Sequence, residues 1–201
     1  MLPILVERPE MSLGARAAEF QRVLSSMEVT DKPGNRQETE AAVLSLVQML
    51  EDLGDRGGRL YLVGNGGSAG VVSHAVTDFL KFSGLRAMTL HDPSLLTCMA
   101  NDYGYESAFA RVLQTLASPG DVLVAVSSSG QSLNIRNAAE QMWSMGGKTI
   151  TLSGFRCDNP LRALGDVNVW LDSSDYGMVE IGHQFVLHNL ADRTRPRDGR
   201  V

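Results

Sequence analysis

The sequence predicts an α/β fold: a doubly wound parallel sheet of five strands flanked by helices, with extra helices ahead of it. Three observations carry this. From Arg59 onward, short apolar and β-branched runs alternate with stretches of helical spacing. The central run, Val122-Leu123-Val124-Ala125-Val126, is apolar without alternation, as a strand covered on both faces must be. Two of the runs lead straight into loops rich in glycine and serine that open into helices, and in such sheets ligands bind at the carboxyl ends of strands.

Ahead of the sheet, residues 12–27 and 37–53 carry apolar side chains at three- and four-residue intervals. In the second, Ala42, Leu46, Met49 and Leu53 form one stripe with Val43 and Leu50 beside it. Pro33-Gly34-Asn35 reads as the break between two helices, laid on the sheet or against a partner chain. Strands are expected at 59–63, 87–91, 121–126, 148–152 and 167–171. Helices are expected at 69–81, 105–116, 132–145 and 177–192, with a short one near 159–164. The chain is read as one domain over 1–201, with a helical extension at 1–36, a core at 37–192 and a flexible tail at 193–201. A phosphate-binding arm is the second reading of that Arg- and Pro-rich tail.

A chain of 201 residues can bury a sizeable core, and 43% hydrophobic with 20% charged residues is ordinary for a globular protein. The net charge of −5 argues against a nucleic-acid surface as its main business. No stretch approaches the roughly 20 apolar residues of a membrane span. The apolar hexad at 1–6 lacks a basic lead and is cut short by Glu7, which makes it a poor signal peptide. Cys98 and Cys157 have no C-x-x-C spacing and read as free buried thiols in a reducing cytoplasm. The expected location is therefore cytoplasmic, with neither membrane nor nucleic acid as partner.

The first loop is Gly64-Asn65-Gly66-Gly67-Ser68. Glycines let the backbone approach a ligand closely, and the following helix offers unpaired N–H groups and the positive end of its dipole. The spacing is neither the dinucleotide fingerprint nor the P-loop. A tight strand-to-helix turn without a ligand would look the same in isolation. The second loop, Ser127-Ser128-Ser129-Gly130-Gln131-Ser132, adds four hydroxyls, three more than an N-cap needs. Together the two loops make a phosphate site.

Among ionisable groups, His74 and Asp78 are four residues apart and share a helix face. Glu180, His183 and His188 lie on the last helical stretch, Glu180 and His188 roughly 80° apart around its axis. Acid and imidazole pairs on two helices suit proton transfer or a divalent metal, although each pair alone also fits an ordinary surface contact. Asn101-Asp102 is either a turn with Asp102 as N-cap or a pair that hydrogen-bonds sugar hydroxyls. His91, after a strand, has no partner in the pattern and reads as structural.

These residues, in this order, resemble a known family. Gly64–Ser68 with His74, then Ala100-Asn101-Asp102-Tyr103-Gly104-Tyr105, then Ser127–Ser132 and the 176–188 stretch are similar to the sugar isomerase (SIS) domain, a flavodoxin-like fold. Within it they resemble the phosphoheptose isomerases, which convert sedoheptulose 7-phosphate to D-glycero-D-manno-heptose 7-phosphate. The similarity runs from about residue 37 to about 192. It implies that Ser68, Ser127, Ser129 and Ser132 hold the phosphate, with Ser128 standing where the family usually has Thr. It implies sugar contacts from Asn65, Gly66, Gly67, Asn101 and Asp102. His74 and His188 match the family's site histidines, Asp78 its glutamate base and Glu180 its glutamine. Several members bind zinc through these four positions, so the resemblance implies one zinc ion per site held by His74, Asp78, Glu180 and His188. It also implies a homotetramer with active sites at subunit interfaces.

Two departures bear on the chemistry. Asp78 is one methylene shorter than Glu, and Glu180 adds a carboxylate where many members carry an amide. Phe82 stands where some members have a basic residue four positions past the base. The implied reaction is aldose–ketose isomerisation through a cis-enediol, with Asp78 or Glu180 moving the carbon-bound proton and His188 serving the oxygens. The alternatives are a non-catalytic SIS regulator that binds a sugar phosphate or a protein, and an isomerase of a different phosphosugar. An aminotransferring SIS enzyme is disfavoured, because the sequence has no N-terminal Cys nucleophile or glutaminase-like segment.

Overall fold

The computed structural model describes residues 9–195, so the readings of the hexad at 1–6 and of the tail beyond 195 fall outside the described residues. A 3-10 turn at Pro9–Met11 leads into α1 (Leu13–Ser25), β1 (Glu28–Asp31), β2 (Arg36–Gln37) and α2 (Thr39–Asp55). There follow β3 (Arg59–Val63), α3 (Gly67–Lys81), β4 (Arg86–Thr89), α4 (Pro93–Tyr103) and α5 (Ala108–Leu116). The chain closes with β5 (Val122–Ser127), α6 (Leu133–Ser144), β6 (Lys148–Ser153), β7 (Val167–Trp170) and α7 (Tyr176–Arg193).

All seven strands form one sheet in the order β2-β1-β7-β6-β5-β3-β4. The five expected strands are its parallel part, β7 to β4. Strand periodicity divides the core in two. Leu60 and Leu62 of β3 and Val122, Val124 and Val126 of β5 join Leu46, Phe79 and Leu187 on the face covered by α2, α3 and α7. Tyr61, Val63, Leu123 and Ala125 point the other way, onto Phe109, Ile135 and Met142 of α5 and α6. Every residue of β5 is buried, which accounts for its unbroken apolar run.

After β3 the chain builds β4 on one side, then returns to lay β5 on the other. Val63 pairs with Ala125, so the ends of β3 and β5 lie side by side at the point where the winding reverses. That is where an open α/β sheet leaves a crevice for ligands.

Four expectations need correction. The extension ahead of the sheet is not purely helical, and the sheet has seven strands rather than five. Pro33-Gly34-Asn35 turns a hairpin, β1–β2, whose first strand pairs antiparallel with β7; Asp31 Oδ1 accepts from the Asn35 N–H at 2.7 Å to close the turn. Asn101 and Asp102 lie in the last turn of α4, a helix not foreseen, whose N-cap is Asp92 rather than Asp102. The tail is held at least through Arg195: α7 continues to Arg193, which pairs with Glu40 at 2.6 Å, and Arg195 pairs with Glu51 at 3.0 Å. Cys98 and Cys157 are free, but both are exposed rather than buried. Among the described residues no helix is long and apolar enough to cross a membrane.

Candidate active site

The loops after β3 and β5 open into one cavity of about 250 Å³. Asn65, Gly66, Gly67, Ser68, Ser127, Ser128, Ser129 and Ser132 line it, joined by Val126 and by Tyr176 and Glu180 of α7. Its chemistry follows from two open helix ends. A side chain closes the first turn of α1 (Ser12), α2 (Glu38), α4 (Asp92) and α7 (Asp175). No side chain caps α3, α5 or α6, and of these α3 and α6 begin at this cavity. Ser132 stands at the N-cap position of α6, yet its hydroxyl is engaged with Ser127 Oγ at 3.3 Å instead. The α3 cap is Gly66, at φ 54° and ψ −123°, a conformation only glycine takes readily. Ser128 Oγ is buried and has no partner among the described residues, the condition of a donor kept for a ligand. Free N–H groups, hydroxyls and two positive dipole ends make an anion cradle.

Four residues outside the expected set support it. The side chains of Asn65 and Asn134 exchange two hydrogen bonds of 2.9 Å, and Tyr105 Oη donates to Asn65 Oδ1 at 2.8 Å. The Asn65 amide therefore ties the first loop to α6. Asn134 is buried, and its only sequence signal is an amide on the inward face of a helix's first turn. Tyr176 is stacked edge-on by Phe155 at 4.8 Å between ring centroids. Phe155, at φ 56°, is the one non-glycine with positive φ among the described residues, a costly conformation for a bulky side chain.

The acid and imidazole groups divide into two places. Asp78, 5% exposed, accepts from His188 Nδ1–H at 2.8 Å, and its Oδ2 lies 3.4 Å from His74 Nε2. The hydrogen bond to Asp78 raises the His188 pKa, which favours the imidazolium. One ligand atom from each of His74, Asp78 and His188 lies within 4.8 Å of the others, a donor set suited to a divalent metal. Glu180 does not join them. Its carboxylate lies against the Cα of Gly67, where a Cβ would collide with both oxygens. Eight residues of helix put Glu180 about 12 Å from His188 along the α7 axis. Within one chain, then, Glu180 belongs to the anion cavity, whereas His74, Asp78 and His188 form a separate cluster further along α3 and α7.

Asn101 and Asp102 do not line the cavity; both are exposed, and Asn101 Nδ2 donates to Asp102 Oδ1 at 2.9 Å. His91 accepts from the Gly64 N–H through Nε2 at 3.4 Å, a brace behind the first loop, and burial lowers its pKa. His183 is fully buried, donates through Nε2 to the Ser153 carbonyl at 3.1 Å, and has its pKa driven down to about 4 by desolvation. The unfolded chain takes up that proton near 6.5, so between 6.5 and about 4 it binds more protons than the native state. Stability is thus complete above 6.5 and falls as acid is added, by on the order of 3 kcal/mol over the window. Denaturant unfolding at a series of pH values should show a flatter acid limb for His183→Phe than for the wild type; parallel curves would contradict the assignment.

The chain matches the model of the SIS domain family over residues 20–154. It is 35% identical over 167 residues to a phosphoheptose isomerase of Geotalea daltonii, covering 80% of this chain and 86% of that one. It is 38% identical over 141 residues to the phosphoheptose isomerase of Helicobacter pylori strain HPAG1, covering 67% and 73%. The solved structure of phosphoheptose isomerase GmhA from Neisseria gonorrhoeae superposes with a TM-score of 0.77 at 25% identity, over 90% of this chain and 95% of that one.

Proposed function

The chain belongs to the phosphoheptose isomerases of the SIS domain family, and from that premise we propose that it interconverts sedoheptulose 7-phosphate and D-glycero-D-manno-heptose 7-phosphate. The observation that carries this is the pair of uncapped helix N-termini, α3 and α6, converging with five serines and Glu180 on one cavity. The cradle takes the phosphate through N–H groups and hydroxyls, and that remote binding energy orients the carbonyl end of the sugar. Asp78 is the base: it lifts the proton from the carbon beside the carbonyl and returns it to the neighbouring carbon. His188, whose Nδ1–H is held by Asp78 and whose pKa that bond raises, donates to the oxygen that gains charge and takes a proton back from the other.

His74, Asp78 and His188 are the residues that would hold a zinc ion, with both histidines neutral while they do so. When bound, such an ion supplies a Lewis acid for the carbonyl and enediolate oxygens. Metal analysis of protein dialysed against zinc should give about one ion per chain, lost in His74→Ala. Unchanged content in that variant would exclude this set.

Cradle and cluster lie about 12 Å apart along α7, so one site is completed by a second chain whose His74, Asp78 and His188 face this cavity. The outer face of α7 supports that arrangement. Ile181 and Phe185 are 57% and 53% exposed and lead along the helix to His188, an apolar stripe suited to a subunit interface. On this reading the chain assembles as a homo-oligomer with shared sites, in line with the homotetramer that the family resemblance implies. The regulator reading is disfavoured because the buried Asp78 is hydrogen-bonded to His188 as a base and its acid would be.

The test is incubation with sedoheptulose 7-phosphate in deuterated water, followed by NMR. Aldose product carrying deuterium at carbon 2 is expected. Solvent exchange without net conversion would assign a different phosphosugar, and no exchange would favour the regulator.

A further inference from the structure

We propose that the opposite end of the sheet carries a second anion site, built by Arg56, Arg59 and Arg86 for a small phosphomonoester or free phosphate. These arginines line a cavity of about 300 Å³ together with Gly57, Gly58 and Gly120. It lies where β3, β4 and β5 begin, at the far end of the same strands that lead into the cradle.

Each guanidinium is braced on a carbonyl of the rim. Arg56 donates to Gly120 O at 3.2 Å, Arg59 to Leu116 O at 3.1 Å and Arg86 to Gly57 O at 2.9 Å. The Tyr61 hydroxyl shares the Leu116 carbonyl at 2.8 Å and steadies Arg59. Among the described residues none of the three makes an ion pair, unlike Arg16, Arg162 and Arg193 elsewhere on the chain. The cavity's one carboxylate, Asp121, is turned onto the backbone. Its oxygens accept from the Arg59 N–H at 2.8 Å and the Ser118 N–H at 2.9 Å.

The charge balance favours an anion. Three guanidiniums stand against Asp121 and the carboxyl ends of α2 and α5, each worth about half a negative charge, which leaves the cavity about one unit positive. A guanidinium fixed through one N–H still presents others in a planar fork matched to phosphate oxygens. Because the forks are already held, little ordering cost remains on binding. The volume is at the small end for a ligand pocket, so a phosphate with a short organic part fits and a dinucleotide does not.

Equilibrium dialysis with labelled inorganic phosphate tests this on the intact protein. Two phosphates per chain are expected in the wild type. One should remain in Ser127→Ala/Ser132→Ala, and one in Arg56→Gln/Arg86→Gln, the latter keeping wild-type isomerase activity as evidence of an intact fold. Arg86→Lys, which keeps charge but not the fork, should weaken the second site at least about tenfold. In the Ser127→Ala/Ser132→Ala background, glycerol phosphate binding tighter than inorganic phosphate identifies a phosphomonoester ligand, and equal binding identifies free phosphate. A phosphate count unmoved by the arginine substitutions overturns the proposal.

Discussion

Asp78→Asn is expected to lower kcat by about 10³-fold or more while leaving phosphate binding in the cradle intact. The argument is local. Asp78 is buried, and its Oδ2 is shared by His188 at 2.8 Å and His74 at 3.4 Å. An amide keeps the shape but cannot take a proton from carbon, and it also removes the carboxylate that raises the His188 pKa. The cradle is more than two turns of α3 away, so its affinity for phosphate should not change. Steady-state kinetics paired with phosphate dialysis separates the two effects. Asp78→Glu is the companion variant: it restores the carboxylate one methylene further out and should recover much of what Asn loses. Full activity in Asp78→Asn would remove this residue from the reaction.

The second large effect is expected from Gly67→Ala, at a residue that carries no side chain. A Cβ there would meet both carboxylate oxygens of Glu180, the movable end of a flexible side chain. The helix itself gains, since Ala is favoured over Gly by about 1 kcal/mol in a helix interior and by less in the first turn. Thermal stability should therefore hold or rise, whereas kcat/KM should fall by about 10²-fold, the scale expected when a site group is displaced by an ångström or so. Glu180→Ala should lose a similar amount. If Gly67→Ala is as active as the wild type, the placement of Glu180 against Gly67 does not matter to the site.

Much of this was legible in the chain. The strand from 59 to 63 and the unbroken apolar run ending at Val126 mark the centre of the sheet, because burial on both faces leaves a pattern no turn can imitate. The serine loop was readable for a related reason: three hydroxyls ahead of Ser132 exceed any capping need. The hairpin escaped because Pro33-Gly34-Asn35 breaks a helix pair and turns two short strands equally well, and β2 is only two residues long. Helix α4 escaped because its apolar stripe is short: Leu95, Leu96 and Met99 pack on the core while only partly buried. Tyr176 was hidden as a lone aromatic at a helix start, and Asn134 as one amide among many.

The division of the acid groups has a different cause. Spacing along a helix reports angle well, and Glu180 and His188 are close enough in angle to suggest one site. Rise along the axis separates them by two turns, and only the coordinates place Glu180 against Gly67 and His188 against Asp78. A set that matches a family site in order can still lie in two places within one chain.

Subunit mixing tests that division most directly. His188→Ala chains lack the acid, and Ser127→Ala/Ser132→Ala chains lack the cradle, so each alone should be nearly inactive. Unfolded together in equal amounts and refolded as mixed assemblies, they should recover about a quarter of the wild-type rate, the share of sites that pair an intact cradle with an intact cluster from another chain. A refolded mixture no more active than its separate parents would contradict a site shared between subunits.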